Sequence, residues 1–304
     1  MVWLIVWSFK GGEYYLELNK IYNQDCLVGI KEIKDKSVNV ILTDPPYLYL
    51  NHKLDRPFDE NELFKEWDRV LKEDGFIVVF GRGESFHRWN YMLNQMGWKF
   101  KEEIIWDKRY ISNPMHPLAR CHETISILTK NGSLKKHKVP YLTMRKYDIG
   151  RLESDIKRIK TALNNPKAFE GMLEFLEKGE ENRLPQTSKP GFTTGKSFEK
   201  PSREVSTLKS ITVGMNEQSI VTVKRDGRKS LIHPTQKPVK LIERLLLCVS
   251  KESDTVLDCF VGSGSVPIAC INQKCNYIGF EIDKEYYELA KERIDNHIKQ
   301  LSLM

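Results

Sequence analysis

The sequence predicts an α/β protein built on a mixed, mainly parallel sheet of about seven strands, with helices on both faces and an inserted lobe. Short apolar runs alternate with longer amphipathic ones over 20–130 and again from 231 to 304. That is the order in which strands and crossover helices follow one another. Several runs are continuous rather than alternating, Ile77-Val78-Val79-Phe80 among them, as strands covered on both faces require. Between 131 and 230 the alternation stops.

In the first segment the candidate strands are 20-KIYNQD-25, 38-VNVILT-43, 76-FIVVFG-81, 102-EEIIWD-107 and 123-ETISILT-129, with helices near 59–73 and 85–96. In the middle, the charged stretch 152–178 reads as helix, and 184-LPQTSKPGFTTGKSFEKPSRE-204 as loops too polar to close a core alone. After 231 come a helix near 238–250, the strand 255-TVLDCF-260, a helix near 265–273, the strand 276-NYIGFE-281 and a helix over 284–299. The expected organisation is therefore 1–130 and 231–304 as two halves of one sheet domain, with 131–230 inserted. The opening MVWLIVWSF lacks the basic start and cleavage site of a signal peptide and is too short to span a bilayer. It reads as an extra strand or as translation from an upstream start codon.

Six cysteines are scattered without a C-x-x-C pair, and the seven histidines show no H-E-x-x-H spacing. Both patterns argue for reduced thiols and against a zinc or disulfide framework. The net charge of +7 is unevenly placed. Residues 131–230 hold 21 Lys and Arg against 12 Asp and Glu, while the rest of the chain holds 27 against 29. The inserted segment is thus either a solvated basic lobe or a surface for phosphates.

In 255-TVLDCFVGSGSVPIA-269 a buried strand runs into Gly262-Ser263-Gly264 and then into a helix. Glycines let backbone N–H groups approach a ligand, and a helix N-terminus adds positive potential. Asp258 sits at the strand end, and Glu281 closes the next strand, where a carboxylate can accept ribose hydroxyls. Pro267 stands where a dinucleotide fingerprint needs its third glycine, which disfavours a nicotinamide cofactor. S-adenosylmethionine, a nucleoside with a charged amino-acid tail, fits this loop better.

The strand 38–43 ends in Asp44-Pro45-Pro46-Tyr47. Two prolines lock two φ angles and fix a carboxylate and a phenol at the strand end. This tetrapeptide, 258-DCFVGSG-264 and 233-HPTQKP-238 together resemble the amino-methylating DNA methyltransferases. Their order, with the tetrapeptide first, an insertion, and the glycine loop last, resembles the permuted β group. The resemblance covers about residues 18–130 and 231–300, outside the opening residues and the interior of the basic segment.

What the resemblance implies is specific. The fold would be the Rossmann-like sheet of S-adenosylmethionine-dependent methyltransferases, with the 255–260 strand beside 38–43 and 131–230 as the target recognition domain. An exocyclic amine is a weak nucleophile, and acceptors aimed at its N–H bonds favour the positive charge that develops on attack. Asp44 would accept one N–H and the Pro45 carbonyl the other, Pro46 would stiffen the turn, and Tyr47 would stack on a base flipped out of the duplex. The cofactor would lie against Asp258, Phe260, Gly262, Ser263 and Gly264, with its ribose on Glu281 and its adenine near Asp25 and Cys26. Thr235 and Lys237 would meet its methionine end, Lys237 taking the carboxylate. The residues alone also allow Asp25 as a helix cap, and Thr235 as a cap with Pro238 in the first turn.

Double-stranded DNA is the implied partner, through Lys135, Lys136, Lys138, Arg145, Lys146, Lys224, Arg225, Arg228 and Lys229. No metal and no membrane are implied, the location is cytoplasmic, and a homodimer and a cognate restriction endonuclease are compatible with the family. Adenine N6 is the expected target, since Asp before Pro-Pro-Tyr is commoner in the adenine enzymes, with cytosine N4 as the alternative. RNA or protein-glutamine methyltransferases carry a related tetrapeptide, typically with Asn at the position of Asp44. A DNA-binding module without catalysis is the remaining alternative.

Overall fold

A computed structural model of the chain describes residues 8–10, 13–48, 55–111, 117–178, 203–227 and 230–303. These form two compact units, one of Met1–Lys135 with Gln218–Met304 and one of Lys136–Glu217. The second unit is thus narrower than the 131–230 expected from composition. Residues 218–227, with Lys224 and Arg225, return to the first unit.

The strands in chain order are β1 (Ser8–Lys10), β2 (Glu13–Tyr15), β3 (Lys20–Tyr22), β4 (Val38–Thr43), β5 (Leu71–Gly81), β6 (Lys99–Asp107), β7 (His122–Thr129), β8 (Lys138–Val139), β9 (Met215–Asn216), β10 (Ile220–Thr222), β11 (Thr255–Asp258) and β12 (Asn276–Phe280). The helices are α1 (Cys26–Gly29), α2 (Glu60–Val70), α3 (Gly83–Gln95), α4 (Tyr141–Met144), α5 (Ile149–Thr161), α6 (Pro166–Lys178), α7 (Arg203–Val213), α8 (Val239–Val249), α9 (Ser265–Asn272) and α10 (Lys284–Ser302).

In the first unit, β1 and β2 form an antiparallel ribbon, and eight strands form one sheet in the order β10-β6-β7-β5-β4-β11-β12-β3. Among the described residues the sheet has one strand more than expected. The addition is β10, which pairs parallel with β6 at its edge. Only three residues long and set among polar ones, it carries too little periodicity to be read from sequence. In this sheet only β7 runs antiparallel to its neighbours, β5 and β6.

The continuous apolar runs serve both faces, because successive side chains of a strand point in opposite directions. From β4, Val40 and Leu42 face one core with Leu245, Leu246, Ile268 and Ile294 of α8–α10. Ile41 faces the other, joined by Val38 across an irregularity in the pairing with β5 between Val38 and Val40, with Leu63, Trp67, Trp89 and Leu93 of α2 and α3. The strand β5 divides likewise, Phe76, Val78 and Phe80 one way and Ile77 and Val79 the other. Trp67 is fully buried and satisfies its one donor on Cys259 Sγ at 3.3 Å.

As expected, β11 lies parallel beside β4, with Val256 opposite Val40 and Leu257 opposite Ile41. Chain order reverses here, and in open α/β sheets ligands bind outside the carboxyl ends of the strands at such a switch point. Asp44 and the glycine loop leave from these two adjacent ends.

The second unit contains α4–α7 and the short pair β8–β9. The helical stretch expected at 152–178 is two helices. After α5 and a single 3₁₀ turn, Asn165 is extended, with φ −132° and ψ 95°, as the residue before a proline prefers. Pro166 then opens α6, where its missing N–H costs no helical bond. Helix α7 has no counterpart among the sequence expectations. Its Ser- and Thr-rich sequence is a weak helix former, and Thr207 and Ser210 turn their hydroxyls back onto the carbonyls of Arg203 and Ser206, at 2.7 and 2.8 Å. Ala162, Ala168, Met172, Phe175 and Val205 make the unit's small core. Most of the tract 184–204, Arg228 and Lys229 lie outside the described residues.

Candidate active site

The carboxyl ends of β4, β11 and β12 open into a cavity of about 1230 Å³. Its wall includes Asp25, Cys26, Asp44, Pro45, Pro46, Tyr47, Arg225, Thr235, Lys237, Asp258, Phe260, Gly262, Ser263 and Glu281. The single chamber exceeds the roughly 300–1,000 Å³ usual for one small ligand and so has room for two.

At its sheet end, Thr43 donates to Asp258 Oδ1 at 2.8 Å, tying the ends of β4 and β11 together. The Phe260 N–H donates to the same oxygen at 3.1 Å. Burial nevertheless pushes the Asp258 carboxyl up to about 7. The loop beyond turns twice through left-handed backbone, at Gly262 (φ +52°) and Gly264 (φ +77°), positions a side chain would strain. A Cβ on Gly264 would also stand 3.2 Å from Ile294 Cδ1.

Glu281, at the end of β12, is fixed from two sides. Its Oε2 accepts the Gly262 N–H at 2.8 Å and its Oε1 the Asp283 N–H at 2.9 Å. Burial raises its pKa against these two bonds, which lower it. A nucleoside's cis-diol is what such a fixed carboxylate is suited to receive. The glycine cradle, Glu281 and the apolar side chain of Phe260 therefore fit S-adenosylmethionine.

Asp25 caps α1, accepting the Leu27 N–H at 2.8 Å, while still lining the cavity. Thr235 does not cap a helix. Its hydroxyl lies 3.1 Å from His233 Nδ1, and α8 begins at Val239 with Pro238 at the cap position. Ser263 Oγ lies 3.1 Å from Ser265 Oγ, and Arg293 donates to the Ser263 carbonyl at 2.8 Å, bracing the loop from behind.

Beside the joint of β4 and β11, both oxygens of Asp44 are engaged: Tyr47 donates its hydroxyl to Oδ1, and Lys237 Nζ pairs with Oδ2. The Tyr47 ring stands 6.0 Å from Trp89, and Phe58 connects Trp89 to Phe260 with ring separations of 6.1 and 5.3 Å. Pro45 is buried and Asp44 and Tyr47 partly so.

In this state the Lys237 ammonium stands among carboxylates rather than at the glycine loop. Besides Asp44 it faces Glu123 Oε2 at 3.4 Å, and it lies 5.0 Å from the centre of the Phe80 ring. Glu123 also receives Lys108 at 3.2 Å. Burial works against the charge on Lys237, but Asp44 and Glu123 outweigh it and hold its pKa above the usual lysine range. Burial raises Asp44, against the pull of Lys237. For Glu123 burial is outweighed by Lys237 and Lys108, and its pKa is lowered.

Glu123 and Lys108 are the site residues that sequence reasoning missed. Glu123 opens an apolar strand, but only the antiparallel course of β7 brings its first residues to the edge where β4 and β11 end. The basic candidates are divided. Lys135, Lys224 and Arg225 belong to the sheet unit and Lys136, Lys138, Arg145 and Lys146 to the second. Arg225 reaches the cavity and donates to the Pro234 carbonyl at 2.6 Å. Arg145 is taken up internally, 2.7 Å from Asp155 and over the Tyr141 ring.

Comparison with known proteins decides the family, for residues 38–292 match the DNA methylases of the N6/N4 group. The chain belongs to the N6/N4 DNA methylase family. It is 27% identical over 288 residues to the type II methyltransferase M.BglII of Bacillus subtilis, spanning 90% of this chain and 68% of that one. It is 26% identical over 311 residues to M2.LlaDCHI of Lactococcus lactis subsp. cremoris, spanning 93% and 91%. Among solved structures, the M1.HpyAVI complex with S-adenosylmethionine matches with a TM-score of 0.54 at 21% identity, covering 91% of this chain and 98% of that one. The cytosine-N4-specific PvuII DNA methyltransferase matches with a TM-score of 0.53 at 14% identity, covering 94% and 93%. The fold of this methylase is thus that of the DNA methyltransferases. Among its described residues no helix is long and apolar enough to cross a membrane.

Proposed function

We propose that this methylase transfers a methyl group from S-adenosylmethionine to the N6 amine of an adenine flipped out of double-stranded DNA, and that residues 136–217 contribute to choice of the target. The observation that carries the reading is one cavity lined both by the ribose-type carboxylate Glu281 and by Asp44-Pro45-Pro46-Tyr47. When bound, the cofactor supplies an electrophilic methyl on a sulfonium; the rest falls to the chain's own residues.

Gly262, Ser263, Gly264 and Glu281 hold the nucleoside, and Phe260 and Phe58 exclude water beside it. Asp44 and the Pro45 carbonyl accept the two N–H bonds of the amine, which frees its lone pair and stabilises the charge that develops on nitrogen. Tyr47, fixed by its bond to Asp44 and by Trp89, stacks on the base. The aspartate at position 44 favours adenine, in line with the family tendency. Cytosine N4 is the second reading, because its amine presents the same two donors.

Two measurements test this. Incubation with labelled S-adenosylmethionine and DNA, followed by nucleoside analysis, is expected to yield N6-methyldeoxyadenosine. N4-methyldeoxycytidine alone would replace the first reading by the second, and no label in any DNA would overturn both. Glu281→Ala is expected to weaken cofactor binding by about 1–3 kcal/mol, and unchanged affinity in calorimetry would remove Glu281 from the cofactor site.

A further inference from the structure

Asp44 faces a conflict in this structure. Its task in methyl transfer, on the function proposed above, is to offer a negatively charged acceptor to an amine, yet Lys237 already occupies Oδ2 and neutralises it. An ammonium held there blocks an N–H of the base and opposes the positive charge that must develop on the amine nitrogen. Without a base in place, however, a carboxylate in this wall needs a counter-charge, since a buried unpaired charge is costly. Lys237 must be present in one state and withdrawn in the other.

The place it can withdraw to is built. Glu123 Oε2 is buried and accepts no hydrogen bond, while its Oε1 is held by Lys108 at 3.2 Å. The Lys237 ammonium stands 3.4 Å from that Oε2, about half an ångström beyond the usual length of a charge-assisted bond. Lys237 ends in a flexible four-carbon stem, so closing that gap asks only a small turn of its outer bonds. The backbone there is anchored, since Ser265 donates to the Lys237 carbonyl at 2.7 Å. The face of Phe80, 5.0 Å from Nζ, lies against the ammonium and lines the space in which it turns. Charge balances in both positions, with two carboxylates and the ammonium groups of Lys237 and Lys108.

We propose that Glu123 is a positioning residue for methyl transfer: it is the second seat of the Lys237 ammonium, which rests on Asp44 until the target amine arrives and then moves to Glu123, leaving Asp44 to the base. Glu123 touches neither base nor cofactor and acts only through Lys237. Removing its charge leaves the ammonium on Asp44 in competition with the amine.

The test is a double-mutant cycle on labelled methyl transfer, with S-adenosylmethionine affinity and duplex affinity measured alongside. Glu123→Gln is expected to lower kcat by about tenfold or more, in the range that misplacement of a reacting group by about 1 Å produces, with both affinities within about twofold of the unaltered protein. In a Lys237→Met background the same Glu123→Gln change should alter kcat by less than about twofold, because no ammonium remains to be seated. An equal loss in both backgrounds, or a raised KM for DNA with kcat intact, would make Glu123 a base contact and overturn the proposal. An unchanged kcat in Glu123→Gln would overturn it as well.

A readout without turnover separates this inference from the function on which it rests. In a crystal structure of Asp44→Asn, Nζ should be within about 3 Å of Glu123 Oε2. If Nζ stays on the side chain at position 44, the second seat does not exist, whatever the activity. If the unaltered protein transfers no label to any DNA while Nζ moves as expected, the proposed function fails and the seat stands.

Discussion

In the sheet unit a single strand such as β5 sends Phe76, Val78 and Phe80 into one buried layer and Ile77 and Val79 into another, whereas the second unit encloses a core of Ala162, Ala168, Met172, Phe175 and Val205. The helices of the second unit also leave Ile149, Ile156, Leu163 and Leu176 exposed. Both units are built from helices with an apolar stripe, so the difference lies in what each stripe meets. A sheet buried on both faces constrains every strand residue and sets the strand ends in register. A small helical cluster constrains only the few positions that touch. The chemistry proposed for this methylase is accordingly assigned to residues at the ends of β4, β11 and β12, where the cavity opens and placement tolerates least slack.

The two cores are expected to respond differently to the loss of a large side chain. Trp67→Ala is expected to remove about 3–5 kcal/mol from the stability of the sheet unit, the usual cost of a large core aromatic. Phe175→Ala should cost about 1–3 kcal/mol in the second unit, whose few neighbours can collapse toward the gap. Urea unfolding followed separately for the two units measures both. Equal losses would show that the second unit is as tightly packed as the first.

The same contrast predicts where activity is lost. Asp44→Ala should reduce methyl transfer by about a hundredfold or more, the cost of removing one preorganised charged partner from a transition state. Cofactor affinity should hold, because Glu281 and the glycine loop are fixed by their own hydrogen bonds and not by Asp44. A parallel loss of cofactor binding in calorimetry would mean that the two groups are not independent.

Legibility in the sequence follows the same division. The strands β4, β11 and β12 and the helices α8–α10 are where their apolar runs placed them, because two-sided burial writes itself into every residue. The positions of Asp44, the Gly262–Gly264 loop and Glu281 beyond strand ends were readable since each follows such a run. Glu123 was not, for a residue that opens a strand reaches this edge only if the strand runs backwards, and strand direction is not written in the run itself. The pairing of Lys237 with Asp44 was equally hidden, being a contact between residues 193 apart in the chain. In the second unit the break at Asn165-Pro166 has a plain local cause, yet the charged stretch read as one helix because both halves share the same periodicity. Composition alone drew the lobe too wide, and it claimed Lys224 and Arg225, which belong to the sheet unit.

A smaller effect sharpens the picture of the joint between β4 and β11. Asp258 titrates near 7 in the folded protein, against an ordinary value of 3.8. Between those values the folded chain holds a proton that the unfolded chain has released. Its contribution to stability is therefore complete below the lower value and is lost as the pH rises toward 7, by at most about 1.4 kcal/mol per pH unit. Asp258→Asn keeps the acceptor for Thr43 and Phe260 but cannot titrate. The stability of the unaltered protein relative to this variant should fall from about pH 4 to pH 7 and level off above. Parallel curves from chemical unfolding would show that the carboxyl is ionised throughout.

The smallest effect concerns the surface of the second unit, where the basic residues are not equivalent. Lys136 and Lys138 are exposed beside the β8–β9 pair. Arg145 is held by Asp155 and stacked over Tyr141, so its charge is already spent within the unit. If this unit lies along DNA, replacing Lys136 and Lys138 together by Gln should flatten the slope of log K against log salt by about 0.9 for each phosphate no longer neutralised. Turnover at saturating DNA should not change, because lysines on phosphates orient the duplex without touching the reacting base. Arg145→Gln should instead lower the unit's stability, because the buried Asp155 loses one of its two arginines and keeps only Arg158 and the Tyr141 hydroxyl, with a salt slope close to that of the unaltered protein. The opposite outcome is equally readable. A flat response to the Lys136 and Lys138 changes, with a lower slope on replacing Lys224 and Arg225, would place the phosphate track on the sheet unit beside the cavity, and the recognition role proposed for 136–217 would fall.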